Sequence, residues 1–251
     1  MSENIKLFTL HGKGNLTTWD NNANSCNMYK NSVEFSKKIY DVDKKFFENL
    51  LNEFNEKKTK KFTIVWEKHC KELCNDVKNL FEKNENPESV AKVVNKVRGN
   101  VAEILFEAAI RSSTCSFLSD EDVLGSTYRP IENKKQEDKT DGHAVSASCD
   151  NVPVGVQIKN WGRTLVNSEV LFAAMAMSAF DLYNKVTREA FEEYKKHPRQ
   201  IVISFTKLDS KGKMLLDKEG NASIVKFIGP NEIDKRMKSP VGVLKLIVEN
   251  L

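Results

Sequence analysis

Three side chains near the middle of this sequence have the chemistry needed to bind a cation beside a phosphate. Asp141 opens a run of β-type residues, and Gln157 and Lys159 end the next such run. Strand side chains return to the same face at every second residue, so Gln157 and Lys159 share a face. Carboxylate and carbonyl-type oxygens are ligands of Mg²⁺, and an ammonium group beside them stabilises negative charge. The pattern therefore predicts a divalent-cation site that holds a water molecule and a phosphate.

The two β-type runs that carry these residues are predicted to pair as a hairpin. The first run covers residues 142–148 and the second residues 154–159, with Asp150 and Asn151 in a polar turn between them. A short polar connection between two such runs is typical of a hairpin. Pairing would bring Asp141 to the sheet edge at which the second run ends.

A helix upstream of the hairpin offers a further carboxylate. Asn86 and Pro87 are typical of a helix start, and the apolar spacing continues to Arg111. Glu103 and Glu107 lie one turn apart on this helix. We take Glu103 as the candidate that completes the site and Glu107 as the alternative. A glutamate on a long helix is more often solvated or paired, and that interpretation stays open.

These residues together resemble the PD-(D/E)xK nuclease superfamily, which includes many restriction endonucleases and Holliday junction resolvases. The resemblance covers roughly residues 95–206 and rests on Asp141, the Gln157-Ile158-Lys159 triplet and the helix that carries Glu103. Two positions depart from the family pattern. Thr140 stands where the family has Pro, and Gln157 stands where Asp or Glu is usual. The second departure removes one negative charge from the expected metal site.

The resemblance implies an α/β fold with a restriction-endonuclease-like core, in which helices flank a mixed central sheet. It implies Mg²⁺ as the cofactor, with Mn²⁺ as a substitute. The implied ligands are Asp141, Glu103, the Gln157 amide and the backbone carbonyl of Ile158, while Lys159 orients the attacking water. The implied function is a metal-dependent endonuclease acting on duplex DNA, such as a type II restriction enzyme. A non-catalytic nucleic-acid-binding relative and a protein-interaction scaffold are the alternatives.

Four further side chains are candidates for contact with nucleic acid. Trp161 could stack on a base, although a place in the core is the more common one for Trp. Arg163 could reach a phosphate with its planar guanidinium group. Lys60 and Lys61 belong to a basic run that could touch the phosphate backbone, or form a solvated loop between helices.

His69, Cys70 and Cys74 do not predict a zinc site. A structural zinc ion needs four ligands, and no second Cys/His pair with suitable spacing follows in the sequence. We expect Cys70 and Cys74 to be thiols on the packing face of a helix.

The organisation predicted for the chain is a helical N-terminal part, residues 1–86, followed by the nuclease core, residues 87–251. Apolar residues at helical spacing predict two helices within residues 33–84. The remaining predicted elements are a strand at residues 5–10, an irregular link at 112–140, a helix at 169–188, strands at 201–205, 223–228 and 243–248, and a short helical piece opening at Pro230.

Composition sets broader limits. The 251 residues are 40% hydrophobic and 29% charged with a net charge of +4, which is ordinary for a globular protein and compatible with a polyanionic partner. No apolar run suits a signal peptide or a membrane span, and the five cysteines form no regular framework, so we expect a cytoplasmic protein with reduced thiols. Because duplex cleavage needs two cuts, we also expect a homodimer.

Overall fold

A computed structural model describes residues 33–57, 61–81, 86–112, 118, 124–130, 141–145, 153–162, 200–207 and 225–251. The helices in these ranges are α1 (Val33–Glu56), α2 (Phe62–Lys78), α3 (Pro87–Arg111), α4 (Pro230–Arg236) and α5 (Pro240–Asn250). The strands are β1 (Leu124–Pro130), β2 (Gly142–Val145), β3 (Pro153–Lys159), β4 (Gln200–Ser204) and β5 (Val225–Ile228). Met1–Cys115 and Met237–Leu251 form one compact unit, and Ser116–Arg236 form a second.

The first unit is built from α1, α2, α3 and α5. Helix α1 packs against the other three, and α3 also packs against α2 and α5. Aromatic rings join α1 to α2: Phe46 meets Trp66 edge to face at a centroid distance of 5.1 Å, and Phe54 stacks on Phe62 at 5.4 Å. The two helices predicted within residues 33–84 are thus confirmed, and a buried aromatic contact holds them together.

The start of α3 is encoded locally. Asn86 accepts a hydrogen bond from the backbone N–H of Glu88 at 2.9 Å, and Pro87 occupies the first helical position. Both features satisfy or remove N–H groups that have no partner within the helix. The predicted helix from Pro87 to Arg111 is confirmed at both ends. Helix α3 packs with the other helices of the first unit. The division of the chain into a helical part and a nuclease core at 86/87 stays a prediction.

The last segment of the chain corrects one prediction. Residues 243–248 were predicted as a strand, but they lie in α5. The buried residues Val243, Leu244 and Ile247 recur at helical spacing, and Pro240 opens the first turn. A short apolar run fits a buried strand or a buried helix equally well, and packing against α1 and α3 selects the helix.

The second unit contains a mixed five-stranded sheet with the order β1-β2-β3-β4-β5. The β1/β2 and β2/β3 pairs are antiparallel, whereas the β3/β4 and β4/β5 pairs are parallel. The hairpin of β2 and β3 confirms the predicted pairing, with Gly142 opposite Val156. The strand predicted at 201–205 and the helical piece at Pro230 are also present, and β5 covers the described part of 223–228. The chain therefore combines α-helices with a mixed sheet, as predicted.

Strand β1 corrects a second prediction, because residues 112–140 were expected to form an irregular link. Arg129 pairs with His143 and Leu124 with Val145, with a register shift between the two pairs. Within the shift, the Thr127 hydroxyl accepts a hydrogen bond from the Val145 N–H at 2.8 Å. The Thr127 side chain thus takes the place of a backbone acceptor for Val145 where the β1/β2 register shifts. A register shift of this kind cannot be predicted from the local sequence.

Several predictions concern residues outside the described ranges. They are the strand at 5–10, the helix at 169–188, and the contacts of Lys60 and Arg163. Among the described helices, none has both the length and the apolar composition needed to cross a bilayer.

Candidate active site

Asp141 is hydrogen-bonded to β3, the strand that carries the other candidate residues. It precedes β2, and its backbone N–H donates to the carbonyl of Val156 at 2.9 Å. Its carboxylate oxygen Oδ2 accepts a hydrogen bond from the backbone N–H of Ile158 at 2.5 Å. The carboxylate thus extends the β2/β3 ladder by one side-chain hydrogen bond. The structure brings Asp141 together with the Gln157-Ile158-Lys159 triplet at one end of the hairpin.

Gly142 allows a side chain of β1 to lie close to the start of β2. The ring of the buried Tyr128 lies so near the Gly142 backbone that a Cβ at position 142 would clash with the ring carbons and the phenolic oxygen. A glycine immediately after Asp141 therefore lets an aromatic ring cover the start of β2. No local sequence pattern indicated this contact between Tyr128 and Gly142.

The Ile158 backbone presents a second oxygen on the Asp141 side of β3. In an extended strand the N–H and C=O of one residue point to the same side, and the Ile158 N–H points to Asp141. Gln157 is only 3% exposed, and both Val156 and Ile158 are buried, so both faces of β3 are covered at this end. Because polar side chains are mostly exposed, the buried Gln157 amide indicates a structural or ligand-binding role.

Lys159 is half-buried at the end of β3, where the parallel strand β4 fixes its register. Lys159 lies opposite Ser204, and the Phe205 N–H donates to the Lys159 carbonyl at 2.9 Å. Ser204 is fully buried. Lys159 and Gln157 are two residues apart within one strand, so their side chains leave the same face of the sheet, as the sequence predicts.

The chain beyond Lys159 is held by hydroxyl groups that the sequence analysis did not single out. The Thr206 hydroxyl accepts from the Trp161 N–H at 2.8 Å and donates to the Trp161 carbonyl at 2.9 Å. The Ser204 hydroxyl in turn donates to the Thr206 carbonyl at 2.7 Å. The one sequence feature that pointed to these hydroxyl groups was the presence of polar residues at the end of a predicted buried strand. Trp161 itself is half-exposed, and its stacking role stays a prediction.

The two candidate glutamates of α3 differ in their surroundings. Glu107 is buried and forms a salt bridge with Arg111 at 2.7 Å, whereas Glu103 is half-exposed. Burial lowers the pKa of Lys96 to about 8, and the Glu103 carboxylate opposes that shift. Lys96 and Glu103 are seven residues apart, which places them on one face of α3. The lowered pKa of Lys96 follows from its burial on this face of α3.

Glu103 belongs to the first compact unit, while Asp141, Gln157 and Lys159 belong to the second. Its inclusion in a common site stays a prediction. Lys61 is exposed immediately before α2, and its contact with nucleic acid is likewise a prediction.

His69 lies in an ionic network within the helical unit. Its Nε2 is 2.8 Å from the Glu53 carboxylate and its Nδ1 is 2.9 Å from that of Glu72. Lys68 approaches the same Glu53 oxygen at 2.8 Å, and hydrogen bonds from Lys68 and His69 help to lower the pKa of Glu53 to about 2.

Cys70 is fully buried, as expected, and Cys74 is half-buried and accepts a hydrogen bond from Arg98 at 3.4 Å.

The donor atoms at the start of β2 and the end of β3 fit a hard cation. The Asp141 carboxylate, the Gln157 amide and the Ile158 carbonyl are all oxygen donors, the class that Mg²⁺ prefers. Asp141 supplies the single carboxylate of this set. In the part of the chain that the structure describes, no three His, Cys, Asp or Glu side chains cluster as metal ligands.

The resemblance to the nuclease superfamily rests on the sequence motif and stays a hypothesis. Asp141 lies beside the Gln157-Ile158-Lys159 triplet, the sheet is mixed, and Glu103 lies on a helix. No protein-family model, curated protein or solved structure matches this chain.

Proposed function

We propose that this protein is a Mg²⁺-dependent endonuclease that hydrolyses phosphodiester bonds in DNA, with a restriction-endonuclease-like core around its mixed sheet. One observation carries the proposal: the Asp141 carboxylate is hydrogen-bonded to the Ile158 N–H, between the residues Gln157 and Lys159 on β3. This hydrogen bond brings the Asp141 carboxylate beside the Gln157-Ile158-Lys159 triplet, which supports the proposed resemblance. Mn²⁺ is the expected substitute for Mg²⁺.

The residues that would hold the cation are Asp141, Gln157 through its amide oxygen, and Ile158 through its carbonyl. Glu103 is proposed to add negative charge, directly or through a water. A bound Mg²⁺ supplies a more acidic water and neutralises charge on the phosphate. With Gln at position 157, the proposed set has two carboxylates, so the expected Mg²⁺ affinity is modest.

Lys159 is proposed to act on the water and the phosphate. Its ammonium group orients the attacking water and stabilises negative charge as it develops on the phosphoryl oxygens. In the reaction, the water oxygen forms a bond to phosphorus, the bond to one ester oxygen breaks, and that oxygen takes up a proton. The pairing of β3 with β4 fixes the backbone register of Lys159, and such positioning is proposed to contribute to catalysis.

The decisive experiment is cleavage of supercoiled plasmid and linear duplex DNA by the purified protein. Cleavage is expected with Mg²⁺ or Mn²⁺ and should stop on addition of a chelator. Lys159→Ala should abolish cleavage while the melting curve stays close to that of the natural protein. Lys207→Ala, which removes an exposed lysine three residues beyond β4, is the matched control and should cleave normally. Normal cleavage by a folded Lys159→Ala variant would refute the assignment.

A second candidate function is non-catalytic DNA binding by a protein of the same fold. The observation that favours it is the neutral side chain of Gln157 at the position where the resemblance calls for an acid. Retention of DNA that weakens with salt, without cleavage under any metal, would select this function. The homodimer stays a prediction, and light scattering of the protein with and without DNA tests it.

A further inference from the structure

The turn after β4 is folded by one serine hydroxyl. Ser204 Oγ donates to the carbonyl of Thr206 at 2.7 Å and accepts from the Thr206 N–H at 3.1 Å. Ser204 is fully buried, so this hydroxyl meets little competition from water. Local bonds of this type favour a tight turn over continued extension of the strand. The turn brings the Thr206 side chain back to the chain that leaves β3.

Thr206 then binds both backbone polar groups of one residue. Its hydroxyl accepts from the Trp161 N–H at 2.8 Å and donates to the Trp161 carbonyl at 2.9 Å. The Phe205 N–H donates to the Lys159 carbonyl at 2.9 Å, so the backbone of β3 and β4 remains paired just before this point. A hydroxyl has one donor and two acceptor positions, and Thr206 directs its donor and one acceptor position to Trp161. The side chain continues the β3/β4 ladder beyond the last backbone pair.

We infer that Thr206 is a positioning residue for Lys159 in the proposed nuclease, acting through the backbone of the 159–161 segment. The inference rests on the proposed function. Lys159 is fixed on one side by its register with Ser204 and on the other by the clamp on Trp161. Without the clamp, the chain after Lys159 is free to separate from β4. Misplacement of a catalytic group by about 1 Å lowers turnover by on the order of 10²-fold.

The test compares Thr206→Val, which has a similar shape but no hydroxyl, with Thr206→Ser, which retains it. Thr206→Val should lower kcat for DNA cleavage by about 10- to 100-fold with little change in KM. The reason is that Thr206 is inferred to act on Lys159, which orients the attacking water, and not on DNA. Thr206→Ser should retain near-normal kcat. Near-normal kcat in Thr206→Val, or equal losses in both variants, would overturn the inference.

Thr127→Val is the matched control for the loss of a threonine–backbone hydrogen bond in the same sheet. Thr127 accepts from the Val145 N–H at 2.8 Å, at the end of β2 opposite Asp141. This variant should lose stability to a degree comparable with Thr206→Val but keep its kcat. A similar fall in kcat in both valine variants would show a general loss of packing and would overturn a specific role for Thr206.

Amide hydrogen exchange separates this inference from the proposed function. The Trp161 amide should be protected in the natural protein and in Thr206→Ser, and should exchange faster in Thr206→Val. The Asp141 amide, bonded to the Val156 carbonyl, serves as the internal reference and should not change. If the natural protein cleaves no nucleic acid, the proposed function fails, and the exchange data still decide the clamp. Equal Trp161 protection in all three proteins refutes the clamp even if cleavage is observed.

Discussion

The carboxylate of Asp141 lies 2.5 Å from the backbone nitrogen of Ile158, so the main proposed metal ligand is fastened to the strand that carries Gln157 and Lys159. This bond gives Asp141 a structural role as well as the proposed chemical one. A substitution at this position therefore has to separate loss of the hydrogen bond from loss of charge.

Asp141→Asn and Asp141→Ala make that separation. Asparagine retains an oxygen that can accept from the Ile158 N–H, whereas alanine retains none. We expect both variants to lose cleavage by on the order of 10²-fold or more, since neither carries the charge. Thermal melting should show little loss for Asp141→Asn and a loss of about 1–3 kcal/mol for Asp141→Ala. Substantial cleavage by Asp141→Asn would remove Asp141 from the proposed metal ligands.

Gln157→Glu should strengthen metal binding. Gln157 is buried, and a carboxylate in its place would add a charge close to the proposed ion. We expect a lower Mg²⁺ concentration for half-maximal cleavage, and a higher one for Gln157→Leu, which removes the oxygen. Without metal, Gln157→Glu should melt earlier because its new charge is buried, and added Mg²⁺ should restore part of the loss. An unchanged Mg²⁺ requirement in all three proteins would place Gln157 outside the coordination sphere.

Glu107→Gln should mainly reduce stability, whereas Glu103→Gln should mainly reduce cleavage. Glu107 is buried in a salt bridge with Arg111, so Glu107→Gln should cost about 1–3 kcal/mol of stability with little effect on cleavage per folded molecule. Glu103 is half-exposed, so Glu103→Gln should change stability little and reduce cleavage. Urea unfolding and cleavage assays of both variants provide the comparison. Small and equal losses of cleavage would show that neither glutamate belongs to the site.

Glu53 should make the helical unit sensitive to acid. Hydrogen bonds from Lys68 and His69, with the charge of Lys57 nearby, lower its pKa from 4.5 to about 2. A depressed carboxyl pKa contributes stability above the unfolded value, and this contribution is lost as pH falls from 4.5 towards 2. Glu53→Gln should therefore be less stable at pH 7 and lose less on acidification through that window. Denaturant unfolding at several pH values checks this, with the exposed Glu67→Gln as the control for loss of a carboxylate.

Lys96 should make the stability of the helical unit depend on pH in the alkaline range. Burial lowers its pKa from 10.5 to about 8, against the opposing effect of Glu103. Between these two values the unfolded chain binds a proton that the folded chain does not, so stability should rise with pH across the window. Lys96→Met should be more stable at pH 7 and show a smaller rise. Lys92→Met, one turn earlier and exposed, controls for the loss of a lysine; the same response in both variants would contradict the prediction.

The elements that the sequence predicted well are those with local signals. The α1 and α2 helices follow from apolar spacing, and the bounds of α3 follow from Asn86, Pro87 and the periodicity up to Arg111. The β2/β3 hairpin joins neighbouring runs, so the placement of Asp141 beside the Gln157-Ile158-Lys159 triplet could be predicted. In each case the interacting residues are close in the chain or repeat with a fixed period.

Tertiary structure decided the features that join distant segments. The 243–248 run is apolar enough for a strand or a helix, and packing against α1 and α3 makes it helical. Strand β1 depends on its partner β2, and the Thr206 clamp exists only because β4 lies parallel to β3. His69 similarly meets Glu53 across two packed helices. These contacts depend on partners that no local pattern specifies, so the sequence alone determined the local elements and the hairpin, whereas the assembled sheet and helical core decided the rest.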